Sequence, residues 1–142
     1  MDYNEFAKTI GIIAAYGGVG IVMLGIGFVV MDLIIPGDLR KQIWEDKNLN
    51  CTAITASALF GTGLIVATSI RAAAGNLGEG LQEVAAFSAM GVIGLALAFW
   101  LVDLLTPGNL GELVADDHFH PATVISVVTN LVIAIVISAA IL

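Results

Sequence analysis

An all-α membrane protein is what this sequence predicts: four transmembrane helices formed by two tandem, parallel-oriented helical hairpins, with a short interfacial segment after each Pro-Gly. Three observations predict it. Of 142 residues, 58% are hydrophobic and 12% charged, whereas a soluble domain averages roughly 45–50% apolar and about 25% charged. Four apolar stretches supply the ~20 residues that cross a hydrocarbon core of ~30 Å. The chain also aligns with itself without a gap at a shift of 71 positions.

The apolar stretches predict spans over Thr9–Ile35, Cys51–Ile70, Leu81–Thr106 and Pro121–Leu142. Helix breakers combined with polar residues separate them: Pro36-Gly37, the segment from Gly75 to Gly80, and Pro107-Gly108. Pro121 suits a first helical position. The acidic start, Asp2 and Glu5, and the length of the first run argue against a cleaved secretory signal, so the first helix is expected to be retained.

The 71-residue shift places Asp32 on Asp103, Pro36-Gly37 on Pro107-Gly108 and Leu39 on Leu110. It also matches Gly20 with Gly91, Phe28 with Phe99 and Thr52 with Thr123. Matches in both helices of each half predict a duplication, with units over residues 1–71 and 72–142. Each unit crosses twice, so the copies share one orientation and are related by an axis along the membrane normal. An inverted-repeat transporter is excluded.

The pattern Asp-x-x-x-Pro-Gly-x-Leu closes the first helix of each unit. Its carriers are Asp32, Pro36, Gly37 and Leu39 in the first unit and Asp103, Pro107, Gly108 and Leu110 in the second. With this motif the chain resembles, over nearly its whole length, the domain-of-unknown-function 350 family of bacterial inner-membrane proteins, whose two-helix unit is commonly present twice. That resemblance implies a setting in membrane-stress systems and no enzyme chemistry. The second copy departs from the first in having no basic residues after its Pro-Gly, so a lipid-headgroup role for Arg40 and Lys41 belongs to one loop alone.

Asp32 and Asp103 each stand four residues before a proline, which has no N–H to offer the carbonyl at that position. Two readings follow: a carboxylate that accepts hydrogen bonds from the turn, and an ion or proton site where two such turns meet. After the breaks, Asp38 and Asn109 are expected N-caps, and Asn109 with Glu112 has capping-box spacing. Leu39 with Ile43, and Leu110 with Val114, share one face of a short helix. Trp44 and Trp100 fit the headgroup zone.

Small residues recur at four-residue spacing, which lets membrane helices approach closely. The stripe Ala53, Ser57, Gly61 is the candidate assembly face, and Asn130 in the stripe Ser126, Asn130, Ala134, Ser138 is the candidate intramembrane polar contact. The two stripes are not equivalent under the 71-residue shift, which predicts a contact that one hairpin lacks, between molecules. Asp116, Asp117, His118 and His120 read as a solvated loop, with a metal site or pH-sensitive contact as the sharper alternative. Cys51 is the only cysteine, so no internal disulfide forms.

The net charge of −7 sits almost wholly in the loops and speaks against nucleic acid as a partner. No nucleophile elbow, His-Glu-x-x-His or nucleotide loop is present, so no catalytic, metal or cofactor-binding residue is assigned and no cofactor is expected. Glycine-rich first and third helices resemble proteolipid rotor subunits of ion-pumping ATPases, yet neither the second nor the fourth span holds the carboxylate a rotor needs. The expectation is a non-enzymatic, multi-pass protein of the bacterial inner membrane. It meets the lipid bilayer and forms homo-oligomers or complexes with other membrane subunits that support membrane or envelope integrity. The alternative is a channel or transporter subunit with a polar path lined by Asn130 or Asp103. Three cations near the Pro-Gly loops against two at the other end place those loops in the cytoplasm.

Overall fold

The computed structural model describes the chain apart from Met1, Asp2, Pro107, Asn109 and Asp117, and describes only the backbone of Ala115. Among the described residues six helices make up the regular structure: α1 (Tyr3–Ile34), α2 (Leu39–Trp44), α3 (Leu49–Ala72), α4 (Leu77–Leu105), α5 (Leu110–Ala115) and α6 (Pro121–Ile141). Among the described residues there is no strand. Helices α1, α3, α4 and α6 are long and apolar enough to cross a membrane, and the chain is a multi-pass membrane protein.

Helices α1, α3 and α4 begin earlier than hydropathy alone places them, and in α3 and α4 the reason is a polar residue that caps the helix. Asn48 accepts a hydrogen bond from the Cys51 amide at 3.0 Å and starts α3 at Leu49. Asn76 and Glu79 form a reciprocal capping box, so α4 starts at Leu77 and takes Gly78 and Gly80 into its first turn. The break expected over Gly75–Gly80 thus shrinks to its first residues, with Gly75 at φ +80°. Helix α1 starts at Tyr3, and its 32 residues span about 48 Å, more than the ~30 Å hydrocarbon core, which tilt or protrusion accommodates.

Helix α3 stands at the centre, packed on α1, α4 and α6, while α1 packs on α3 and α4. The pairs Asn50–Thr123, Ser57–Asn130 and Gly61–Ala134 advance together along both helices, so α3 and α6 run parallel. Where helices cross, glycine sets the distance. A Cβ on Gly91 would stand 2.7 Å from Ile65, and one on Gly61 would stand 3.0 Å from the Ala134 Cβ.

The core at the end that carries α2 and α5 gathers Met31, Ile35, Leu39, Ile54, Leu110 and Val114. The starts of α2 and α5, at Leu39 and Leu110, therefore lie at one end of the bundle. Lipid solvates apolar side chains, so the outward faces keep Ile21, Phe60, Leu97, Val128 and other large hydrophobics exposed.

Candidate functional site

The two acidic turns build the same local structure. Helix α1 ends at Ile34 because Pro36 cannot donate, and Gly37 takes a left-handed φ of +100° that folds the chain back. The reversal delivers the Leu39 amide to Asp32 Oδ1 at 3.1 Å, which satisfies a first-turn N–H of α2. In the second half Gly108 has φ +106°, and Leu110 donates to Asp103 Oδ1 at 2.8 Å. Leu39 and Leu110 are both 0% exposed, so each turn ends with a leucine plugged into the core. Pro107 and Asn109, the latter expected as an N-cap, lie outside the described residues. Asp38 caps α2 by accepting from the Lys41 amide.

Asp32→Ala and Asp103→Ala are each expected to cost about 1.5–3 kcal/mol, the range for a hydrogen bond to a charged acceptor, while Asn at either position retains the acceptor and costs less. Unfolding in mixed micelles followed by circular dichroism measures both. Equal effects of Ala and Asn would refute the turn-capping role.

Between the halves lies a polar clamp. Asn50, 1% exposed in the first turn of α3, has both amide atoms fully engaged. Its Nδ2 donates to the carbonyls of Asp116 at 3.1 Å and His118 at 2.8 Å. Its Oδ1 accepts from the His120 amide at 3.0 Å and the Thr123 hydroxyl at 2.7 Å. Asn48 adds a bond to the Asp116 carbonyl at 2.9 Å. One side of the adjoining core holds Cys51, whose thiol donates to Gln42 Oε1, while Gln42 Nε2 donates to the Pro36 carbonyl. This clamp has no equivalent in the other direction, because the 71-residue shift puts Pro121 opposite Asn50. Sequence reading passed over Asn48 and Asn50; their only signal is a pair of amides at the mouth of an apolar run.

Asn130, 1% exposed, donates to the Ser57 hydroxyl at 3.0 Å. Of the stripe Ala53, Ser57, Gly61, Ala53 is partly exposed, while Ser57 and Gly61 are buried inside the chain, against Asn130 and Ala134 of α6 and Leu95 of α4. The two non-equivalent stripes are each other's partners. Parallel packing of α3 on α6 brings them together, which self-alignment of the sequence cannot show.

The His-containing loop divides. His120 Nδ1 accepts from the Ala122 amide as the N-cap of α6, whereas His118 is exposed and pairs with Asp116 at 3.5 Å. Asp117 lies outside the described residues. Among the described residues no three His, Cys, Asp or Glu side chains converge as metal ligands. Asp103 borders a cleft of about 310 Å³ with Ile34, Phe99, Trp100 and Gly111. Trp44 and Trp100 are both exposed.

Comparison with known proteins finds relatives named as transmembrane proteins. The chain is 32% identical over 123 residues to a UPF0719 transmembrane protein of Mycolicibacterium paratuberculosis, covering 87% of this chain and 82% of the relative. It is 30% identical over 132 residues to UPF0719 transmembrane proteins of Mycobacterium bovis and Mycobacterium tuberculosis, covering 92% of this chain and 87% of each relative. No solved structure matches. The family model described as Domain of Unknown Function (DUF350) matches residues 5–141, and the chain belongs to that family.

Proposed function

We propose that the chain is a non-enzymatic, complex-forming subunit of the bacterial inner membrane that supports membrane or envelope integrity, and that it assembles through α1. The outer half of α1 carries this reading. Every residue from Tyr3 to Ala14 is exposed, and Ala7, Gly11, Ala14 and Gly18 fall on one exposed helix face. A Cβ added at Gly11 or Gly18 meets nothing within the chain. Lipid gives no hydrophobic drive for helix association, so a face made of small residues is suited to close backbone approach by another helix.

Recurrence of the turn at a 71-residue spacing supports two hairpin units over 1–71 and 72–142. The cations Arg40, Lys41 and Lys47 support a cytoplasmic position for the Pro-Gly loops. The channel reading finds less support, since Asn130 is buried and bonded to Ser57.

Gly11→Leu combined with Gly18→Leu is expected to weaken self-association or capture of membrane partners about tenfold, ~1.4 kcal/mol, while leaving the fold intact. Native mass spectrometry from nanodiscs, with crosslinking in membranes, reads this. A wild-type protein that is monomeric and uncrosslinked in both would sink the proposal.

A further inference from the structure

We propose that α1, α2 and α3 of the first half form a binding site for one diacyl phospholipid with a phosphoethanolamine headgroup. The site is built around Phe28, which borders three adjoining hollows. The first, about 590 Å³, lies against α2 and is lined by Asp38, Arg40, Lys41, Trp44 and Glu45. A second, about 530 Å³, runs along α1 past Val22, Gly25, Ile26 and Val29 and meets the first at Arg40. The third, about 160 Å³, lies on the other side of Phe28 against Ile43, Ala56 and Leu59. Phe28 and Trp44 touch, with ring centroids 6.3 Å apart. A charged surface hollow that shares lining residues with two apolar ones has the form of a headgroup with two acyl chains.

Charge selects the headgroup. Among the described residues Arg40, Lys41 and Glu45 form no ion pair, and all three belong to the exposed rim of α2. Two cations face a phosphate; two carboxylates, Asp38 and Glu45, face a cation. A purely anionic head would leave Glu45 unmatched and Asp38 with only its cap bond from the Lys41 amide. A choline head offers no N–H to them, whereas a primary ammonium offers three. Thr55 lines the third hollow and is 3% exposed, and its hydroxyl has no hydrogen-bond partner. Its neighbours Thr62 and Thr68 donate to the carbonyl four residues back. A lipid ester carbonyl supplies the acceptor that Thr55 lacks, as a buried hydroxyl requires. The second half cannot repeat the site, because the shift replaces Arg40, Lys41 and Trp44 with Gly111, Glu112 and Ala115.

The test uses the full chain in detergent with an equimolar mixture of phosphatidylethanolamine, phosphatidylglycerol and phosphatidylcholine of identical acyl chains, read by native mass spectrometry. One phosphatidylethanolamine is expected to be retained over the other two. Arg40→Gln with Lys41→Gln is expected to reduce retention about tenfold, Thr55→Val to reduce it less, and Glu112→Gln to leave it unchanged. Phosphatidylglycerol or phosphatidylcholine retained as well as phosphatidylethanolamine would overturn the assignment. So would undiminished retention by the folded double variant. If that variant does not fold, discrimination by the wild type and the loss in Thr55→Val decide.

Discussion

Asn50→Leu is expected to lower the stability of the folded chain by about 3–5 kcal/mol, because three groups at a part-buried to buried site lose a partner at roughly 1–3 kcal/mol each. The orphaned groups are the His118 carbonyl, the His120 amide and the Thr123 hydroxyl; the Asp116 carbonyl keeps its bond from Asn48. Leucine shares the branching of asparagine and is somewhat larger, so no cavity forms and the loss combines lost hydrogen bonds with overpacking. By contrast, one interhelical bond in a membrane averages about 0.6 kcal/mol, which makes Asn130→Leu the milder change if packing around Ser57 adapts. Thr123→Val removes a single partner of Asn50 and is expected to cost about 1 kcal/mol. Equilibrium unfolding in mixed micelles measures all three. A loss below 1 kcal/mol for Asn50→Leu would show that the clamp does not join the two halves.

Gly61→Leu is the second large effect, with an expected loss of about 3 kcal/mol, the upper part of the usual range for overpacking. A leucine there extends from a Cβ already 3.0 Å from the Ala134 Cβ and 3.3 Å from Leu95 Cδ1. Relief requires α3, α4 or α6 to move, since the Ala134 neighbour is a stub with no rotamer to change. The same substitution at Gly11, where an added side chain meets nothing in the chain, is expected to leave stability unchanged. Comparing the two in one unfolding assay separates packing within the chain from assembly between chains. Equal stability of both variants would refute the placement of Gly61 between three helices.

The sequence by itself determined the parts of this protein that depend on local chemistry. Apolar length and composition set four spans, since a bilayer admits backbone only where a helix satisfies its own hydrogen bonds. Pro36 and Gly37 set the turn after Ile34, Gly108 bends the chain after Leu105, and the self-alignment matches Asp32 to Asp103, each of which accepts from an amide seven residues on. Helix starts were less legible, because Asn48 and Asn76 are polar residues that hydropathy counts as loop but that geometry uses as caps.

Only the tertiary structure decided which face meets which. In water, burial follows hydrophobicity and marks the core along the sequence. In lipid, apolar side chains are equally at home on either side of a helix, so composition leaves the inward face unmarked. The Ala53, Ser57, Gly61 stripe therefore reads the same from sequence whether it meets a second molecule or α6; the parallel docking of α3 on α6 puts Ser57 and Gly61 inside. Ala7, Gly11, Ala14 and Gly18 have the same chemistry and remain outside. Asn50 likewise reaches its partners 66 to 73 residues away, a separation that no local pattern encodes.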